Sequence, residues 1–124
     1  MRNLHHDWFV RILGHDQSVM EAALKVRSMR ADVLAENVAN ADTPNFSQHD
    51  LSFDGALQQV LDHEPAGDSL NESDIKAENL RIDRNDIDLN QQMGQVYENS
   101  LDYVATLRLY SDSIGRIRSA TGNS

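Results

Sequence analysis

The sequence predicts a mainly α protein, with two long N- and C-terminal helices forming a coiled-coil-like pair, joined by an irregular insert with little regular structure. Three observations lead there. Apolar residues recur at alternating steps of four and three from Met20 to Ala41, and again from Leu89 to Ile117. Between residues 47 and 87 that periodicity is lost. At the end of the first stretch, Val33 to Phe46 (VLAENVANADTPNF) places three asparagines and a Thr-Pro step where a helix must stop. The chain divides accordingly into residues 1–15, a docking or flexible segment; 16–46, the first helix and its Thr-Pro turn; 47–87, the insert; and 88–120, the second helix, all within a single structural unit.

In the first segment, Leu4, Trp8 and Ile12 mark one side of a short helix that Gly14 is expected to interrupt. Asp16 or Ser18 then caps the next helix, with Glu21 placed favourably in its first turn. Met20, Leu24, Arg27, Ala31, Leu34, Val38 and Ala41 form one seam, broken in polarity only by Arg27. A neighbouring line through Val19, Ala23, Val26, Arg30, Val33, Asn37 and Asn40 widens the face, so that one helix can touch two neighbours. The periodicity by itself is shared with an ordinary amphipathic helix of a small bundle.

Asn37, Asn40, Asp42 and Thr43 compete for backbone hydrogen bonds, and Pro44 turns Thr43 away from the α conformation. The helix is expected to stop near Ala41. Asn45 follows the proline where a type II turn demands positive φ, and the turn re-aims Phe46. In the insert, Pro65 to Ser69 is a loop signal, Phe53, Leu57, Val60 and Leu61 suit a short amphipathic helix, and Leu70 to Arg84 reads as extended, with Leu80 and Ile82 alternating as in a strand.

The second helix is expected to start at Asp88, where D-x-x-Q resembles a capping box. Its seam runs through Leu89, Met93, Val96, Ser100, Tyr103, Leu107, Tyr110, Ile114 and Ile117, with Tyr97, Leu101 and Val104 as a shorter second line. Arg116 and Arg118 suit a C-terminal turn, and Gly122 a stop.

Composition narrows the function. Only six aromatics accompany Trp8, and the mean hydropathy is negative, which argues against a large private core and for stripes covered by partner chains. A formal net charge of −9 with scattered Lys and Arg argues against nucleic acid and anionic membranes. The chain has no cysteine, hence no thiolate ligand or nucleophile. His5 and His6 are adjacent, and His15, His49 and His63 lack metal-ligand spacing. Asp86, Asp88 and Asn90 fit the first positions of a calcium loop, but Gln91 and Tyr97 stand where Gly and Glu are needed. With no phosphate loop, nucleophile elbow or HExxH pattern, the reading is a non-enzyme without catalytic, metal or cofactor residues and without a small-molecule substrate. No run approaches the length of a membrane span, and the N-terminus does not read as a cleaved secretory signal.

The segment LKVRSMRADVLAENVANADTPNFSQHDLSF, residues 24–53, resembles the N-terminal signature of the flagellar basal-body rod proteins, and within them the proximal-rod type, through Asn37, Asn40, Thr43, Pro44 and Asp50-x-x-Phe53. Residues 88–120 are similar to the family's C-terminal helix. Asn45 and Phe46 stand where the family often has Gly and Tyr, and Val38 where it often has Ile. The resemblance implies a structural subunit of the periplasmic rod, exported by the flagellar type III apparatus without a cleaved signal peptide. Its implied partners are copies of itself, other rod and basal-body subunits and that apparatus. Asn37, Asn40, Asp42, Thr43, Pro44 and Phe46 would form the assembly motif. Two alternatives stay open at this point: a different flagellar rod subunit, or a soluble helical adaptor or chaperone using the same stripes.

Overall fold

The computed structural model describes residues 4–63, 71–83 and 88–122, with residues 4–16 described as backbone only. The Pro65 to Ser69 loop signal and Asp86 of the calcium-loop pattern lie outside the described residues. Six elements follow in order: α1 (Leu4–Ala39), β1 (Gln48–Leu51), α2 (Phe53–His63), α3 (Glu72–Asn79), β2 (Leu80–Asp83) and α4 (Leu89–Ala120). Helix α1 has 36 residues and α4 has 32, so they span about 54 and 48 Å at 1.5 Å per residue. The two pack against each other as the expected pair, and they run antiparallel, since Glu21 meets Tyr110 while Asn37 meets Gln92.

Helix α1 runs unbroken through Gly14, where an interruption was expected, and Asp16 and Ser18 lie inside it rather than capping a second helix. A glycine inside a helix costs about 1 kcal/mol relative to alanine, too little to divide so long a helix. At the other end, Asn40 Nδ2 donates to the Glu36 carbonyl at 2.8 Å, competing with helix propagation, and the last helical residue is Ala39.

The insert holds more regular structure than its sequence suggests. Strands β1 and β2 pair antiparallel, with Gln48 opposite Asp83 and Leu51 opposite Leu80. Helix α2 buries Ala56 and Val60, one turn apart, against Ala22, Val26 and Met29 of α1, with Leu51 and Ile75 completing the cluster. Phe53, Leu57 and Leu61 pack around it. Helix α3 replaces the extended backbone expected from Leu70 onward. Asn71 caps it by accepting from Ser73 N at 3.2 Å, and Glu72 and Asp74 oppose the positive end of the helix dipole. Ile75 is its one buried residue, so no apolar period announced the helix. Helices α2 and α3 approach closely at Gly55, where any Cβ would collide with the Asn79 side chain. That amide donates to Gln59 Oε1 at 2.8 Å and to the Ile75 carbonyl at 2.9 Å.

Helix α4 is capped by Asp88, whose carboxylate accepts from Asn90 N at 3.0 Å and Gln91 N at 3.3 Å. It ends beyond Ala120, with Gly122 at φ +74°. The face that α4 turns towards α1 is polar, buried at Gln92, Asn99 and Ser113 and half-buried at Asp102 and Thr106. This differs from the apolar seam expected between the two helices. The heptad series Gln92, Asn99, Thr106, Ser113 is as regular as the apolar lines beside it, but a search for apolar periodicity passes over it.

Candidate assembly surface

Two features stand out where the motif and the seams lie. The first is a polar joint where α1 leaves for the insert. Asn37 is fully buried, and its amide treats His49 as a paired strand residue would: Oδ1 accepts from His49 N at 2.9 Å, while Nδ2 donates to the His49 carbonyl at 2.6 Å. Nδ2 also donates to Gln92 Oε1 at 3.0 Å. Gln92 Nε2 in turn donates to Gln48 Oε1 at 2.8 Å, and Gln48 Nε2 to Asp83 Oδ2 at 2.6 Å. One relay of side chains thus ties α1, β1, β2 and α4 together.

The Thr-Pro turn sits at the mouth of this joint. Thr43 Oγ1 donates to Asn40 Oδ1 at 3.2 Å, and Phe46 N donates to the Thr43 carbonyl at 3.3 Å. Pro44 and Asn45 are the central residues, and Asn45 has φ 66°, the positive φ expected for a type II turn. Asp42, Thr43, Pro44 and Asn45 are exposed, whereas Phe46 is half-buried with its ring edge-on to His49, 5.8 Å between centroids.

Two arginines anchor the adjoining turns of α1. Arg30 grips Asp50 of β1 with two bonds, Nε to Oδ1 at 2.9 Å and Nη2 to Oδ2 at 3.2 Å. That hydrogen-bonded carboxylate raises the Arg30 pKa above its ordinary value against the opposing effect of burial. Arg27 lies over the Phe53 ring, 4.3 Å from its centre, and donates to Asp102 of α4 at 3.2 Å. Its carbonyl accepts from Asn99 Nδ2 at 2.9 Å. Here the polar packing is incomplete: Arg27 Nε and Asn99 Oδ1 are buried with no hydrogen-bond partner among the described residues.

The second feature is the outward stripe of α4. Leu89, Met93, Tyr97, Leu101, Val104 and Leu107 are between 42% and 67% exposed, and Tyr103 is 37% exposed beside them. At 3.6 residues per turn this stripe is centred roughly 130° around the helix from the polar face on α1. Val96, Tyr110, Ile114 and Ile117 lie half-buried at its edge, and the Tyr110 hydroxyl donates to Glu21 Oε1 at 2.7 Å. On α1, Leu34 is fully buried, Met20, Leu24 and Val38 are half-buried, and Ala31 is exposed. Sequence reasoning missed Ala22 and Met29 as core and Gln48, Gln92 and Asn99 as buried polar groups. The line 22, 26, 29, 33 has the same four-three step as the chosen seams, and could have been found by asking which face meets the insert.

Among the described residues, no three His, Asp or Glu side chains gather closely enough to hold a metal ion. None of the described helices is long and apolar enough to cross a membrane.

Comparison with known proteins bears directly on this surface. The family described as "Flagella basal body rod protein" matches residues 19–46, the stretch of α1 and turn that carries the joint. The FlgB flagellar basal body rod protein of Aeromonas hydrophila is 30% identical over 119 residues, covering 82% of this chain and 89% of that protein. The FlgB protein of Escherichia coli K12 is 29% identical over 115 residues, covering 76% and 83%. That of Borrelia hermsii is 28% identical over 102 residues, covering 64% and 76%. The Aeromonas hydrophila protein is thus similar over four-fifths of this chain, and the chain belongs to the flagellar basal-body rod proteins of the FlgB type.

Proposed function

We propose that this chain is a structural subunit of the proximal rod of the bacterial flagellum, packing its long helices into an axial assembly that transmits torque. The observation that carries the reading is the α4 stripe, a line of large apolar side chains left uncovered while the same helix spends its polar face on α1. Burying a leucine completely contributes about 1.5–3 kcal/mol, so six half-exposed positions offer on the order of 5 kcal/mol per subunit before the entropic cost of association. Close-packed helices resist shear because neighbouring side chains interdigitate, so torque passes through them without a chemical step.

Its partners are other basal-body rod subunits, and its place is the flagellar basal body. On the same reading the chain also packs against copies of itself, leaves the cell through the type III export apparatus without a cleaved signal, and works in the periplasmic section of the axis. Asn37, Asn40, Asp42, Thr43, Pro44 and Phe46 form the joint at which the axial helix gives way to the insert. A chain without cysteine and with a small core suits passage in an unfolded state followed by ordering on assembly. An epitope-tagged copy expressed in a strain lacking its own proximal-rod subunit tests this. The tagged chain should restore swimming and copurify with detergent-extracted basal bodies. Restored swimming without the chain in those particles, or its absence from both, would refute the reading.

A further inference from the structure

We propose that Gln92, acting with Asn37, sets the register of α4 on α1 and thereby the direction in which the apolar stripe points. The assignment concerns the fold of the subunit and holds whether or not it assembles. Apolar packing discriminates this register poorly, because the α4 face on α1 is a heptad series of polar residues, Gln92, Asn99, Thr106 and Ser113, and the apolar line on one side of it, Leu89, Val96, Tyr103, Tyr110 and Ile117, repeats at the same seven-residue step. Sliding α4 by one heptad would bring a similar face into contact.

The ends of the helix pair differ in how strictly they discriminate. Near Arg27, two buried polar atoms already lack partners, so a slip there forfeits only the Asn99 bond to the Arg27 carbonyl and the Arg27 bond to the half-buried Asp102. Near Asn37 the side-chain amides are engaged at both ends: Asn37 bonds His49 through its oxygen and its nitrogen and Gln92 through its nitrogen, and Gln92 carries the relay on to Gln48, which bonds Asp83. Gln92 is 2% exposed and Asn37 fully buried, so broken bonds there are not replaced by water. Within the heptad series only Gln92 has the reach to bridge two glutamine- or asparagine-bearing elements. Asn99 is one methylene shorter, and Thr106 and Ser113 carry a hydroxyl where an amide is required. A slipped helix would leave Asn37 Nδ2 short of a partner and Gln48 Oε1 without one. Single buried polar residues are known to fix helix register at a cost in stability, and this relay has that form.

The chain has no cysteine, so spin labels can be placed cleanly at Ser28→Cys on α1 and Ser111→Cys on α4, both exposed. The doubly labelled full chain should give one separation by pulsed electron–electron resonance. Asn37→Leu combined with Gln92→Leu removes both sides of the contact between α1 and α4, at the cost of the Asn37 bonds to the His49 backbone and the Gln92 bond to Gln48, and should add populations displaced along the helix axis by about 10 Å, seven residues at 1.5 Å each, while helix content is preserved. Should that variant lose its helical signal, Gln92→Asn carries the same readout, since its amide is one methylene too short to reach both neighbours. A single wild-type separation in whichever variant folds overturns the assignment. So does the lack of a single separation in the parent chain, or the collapse of both variants, which would mean that the relay is needed simply for folding.

Discussion

Substituting aspartate at Leu107 and at Leu34 separates assembly from folding. Leu107 is 42% exposed on α4, so its uncovered part is worth about 1 kcal/mol of the roughly 1.5–3 kcal/mol for complete burial of a leucine. In the isolated subunit, Leu107→Asp should cost about 2 kcal/mol, from helix propensity and from the part of the side chain already covered there. In an assembled contact it forfeits that 1 kcal/mol and adds about 2 kcal/mol for desolvating an unpaired carboxylate. Together these weaken each contact by about 3 kcal/mol, roughly a hundredfold in affinity. Leu34 is fully buried inside the subunit, so Leu34→Asp loses the whole burial contribution and strands a carboxylate, at more than about 4 kcal/mol. Circular dichroism melts of the purified chains should show Leu107→Asp modestly lowered and Leu34→Asp unfolded or strongly lowered. Basal-body copurification should fail for both. The reasoning is refuted if Leu107→Asp melts as low as Leu34→Asp, or if it enters basal bodies at the parental level.

Two further outcomes follow from local geometry. At Asn45, φ 66° admits Gly and Asn but opposes β-branched residues, so Asn45→Gly should leave the melting temperature nearly unchanged while Asn45→Val lowers stability by about 1–2 kcal/mol; equal melts for the two would contradict the turn. The Tyr110 phenol is held above its ordinary pKa of 10.0, first by its hydrogen bond to the Glu21 carboxylate. Because the folded value is raised, this contribution is fully present below the unfolded pKa and is lost as pH rises through the folded one. Glu21→Ala should shift the Tyr110 phenolate absorbance, isolated by difference from a Tyr110→Phe chain, to lower pH; an unchanged titration would contradict the contact.

The long helices were legible because many residues repeat one pattern. Asp88 announced a cap, Asn45 a positive φ, and Asn37 to Pro44 a stop, each because a single side chain imposes its own local geometry. Helix α3 was illegible because one buried residue, Ile75, makes no period, and its stability comes from Asn71 and from packing that only the folded chain brings together. Gly14 misled in the opposite sense: its local penalty is small beside the cooperative gain of continuing a helix. The α1–α4 contact was missed because it is polar. Gln92 and Asn99 look like surface residues until Asn37, Gln48 and the Arg27 carbonyl meet them from elements 44 to 72 residues away. The apolar lines were read correctly as periodic, while the side of α4 that meets α1 was not.

The account rests on the α4 stripe being open in the subunit and covered in the rod. Hydroxyl-radical footprinting, read by mass spectrometry at Met93 and Tyr97 in the purified chain and in intact basal bodies, measures this side chain by side chain. Met29, 1% exposed within the core, serves as the internal reference. Met93 and Tyr97, 51% and 67% exposed, should be labelled rapidly in the free chain and lose most of that labelling in basal bodies, with Met29 slow in both. Equal labelling of Met93 and Tyr97 in the two states would contradict it.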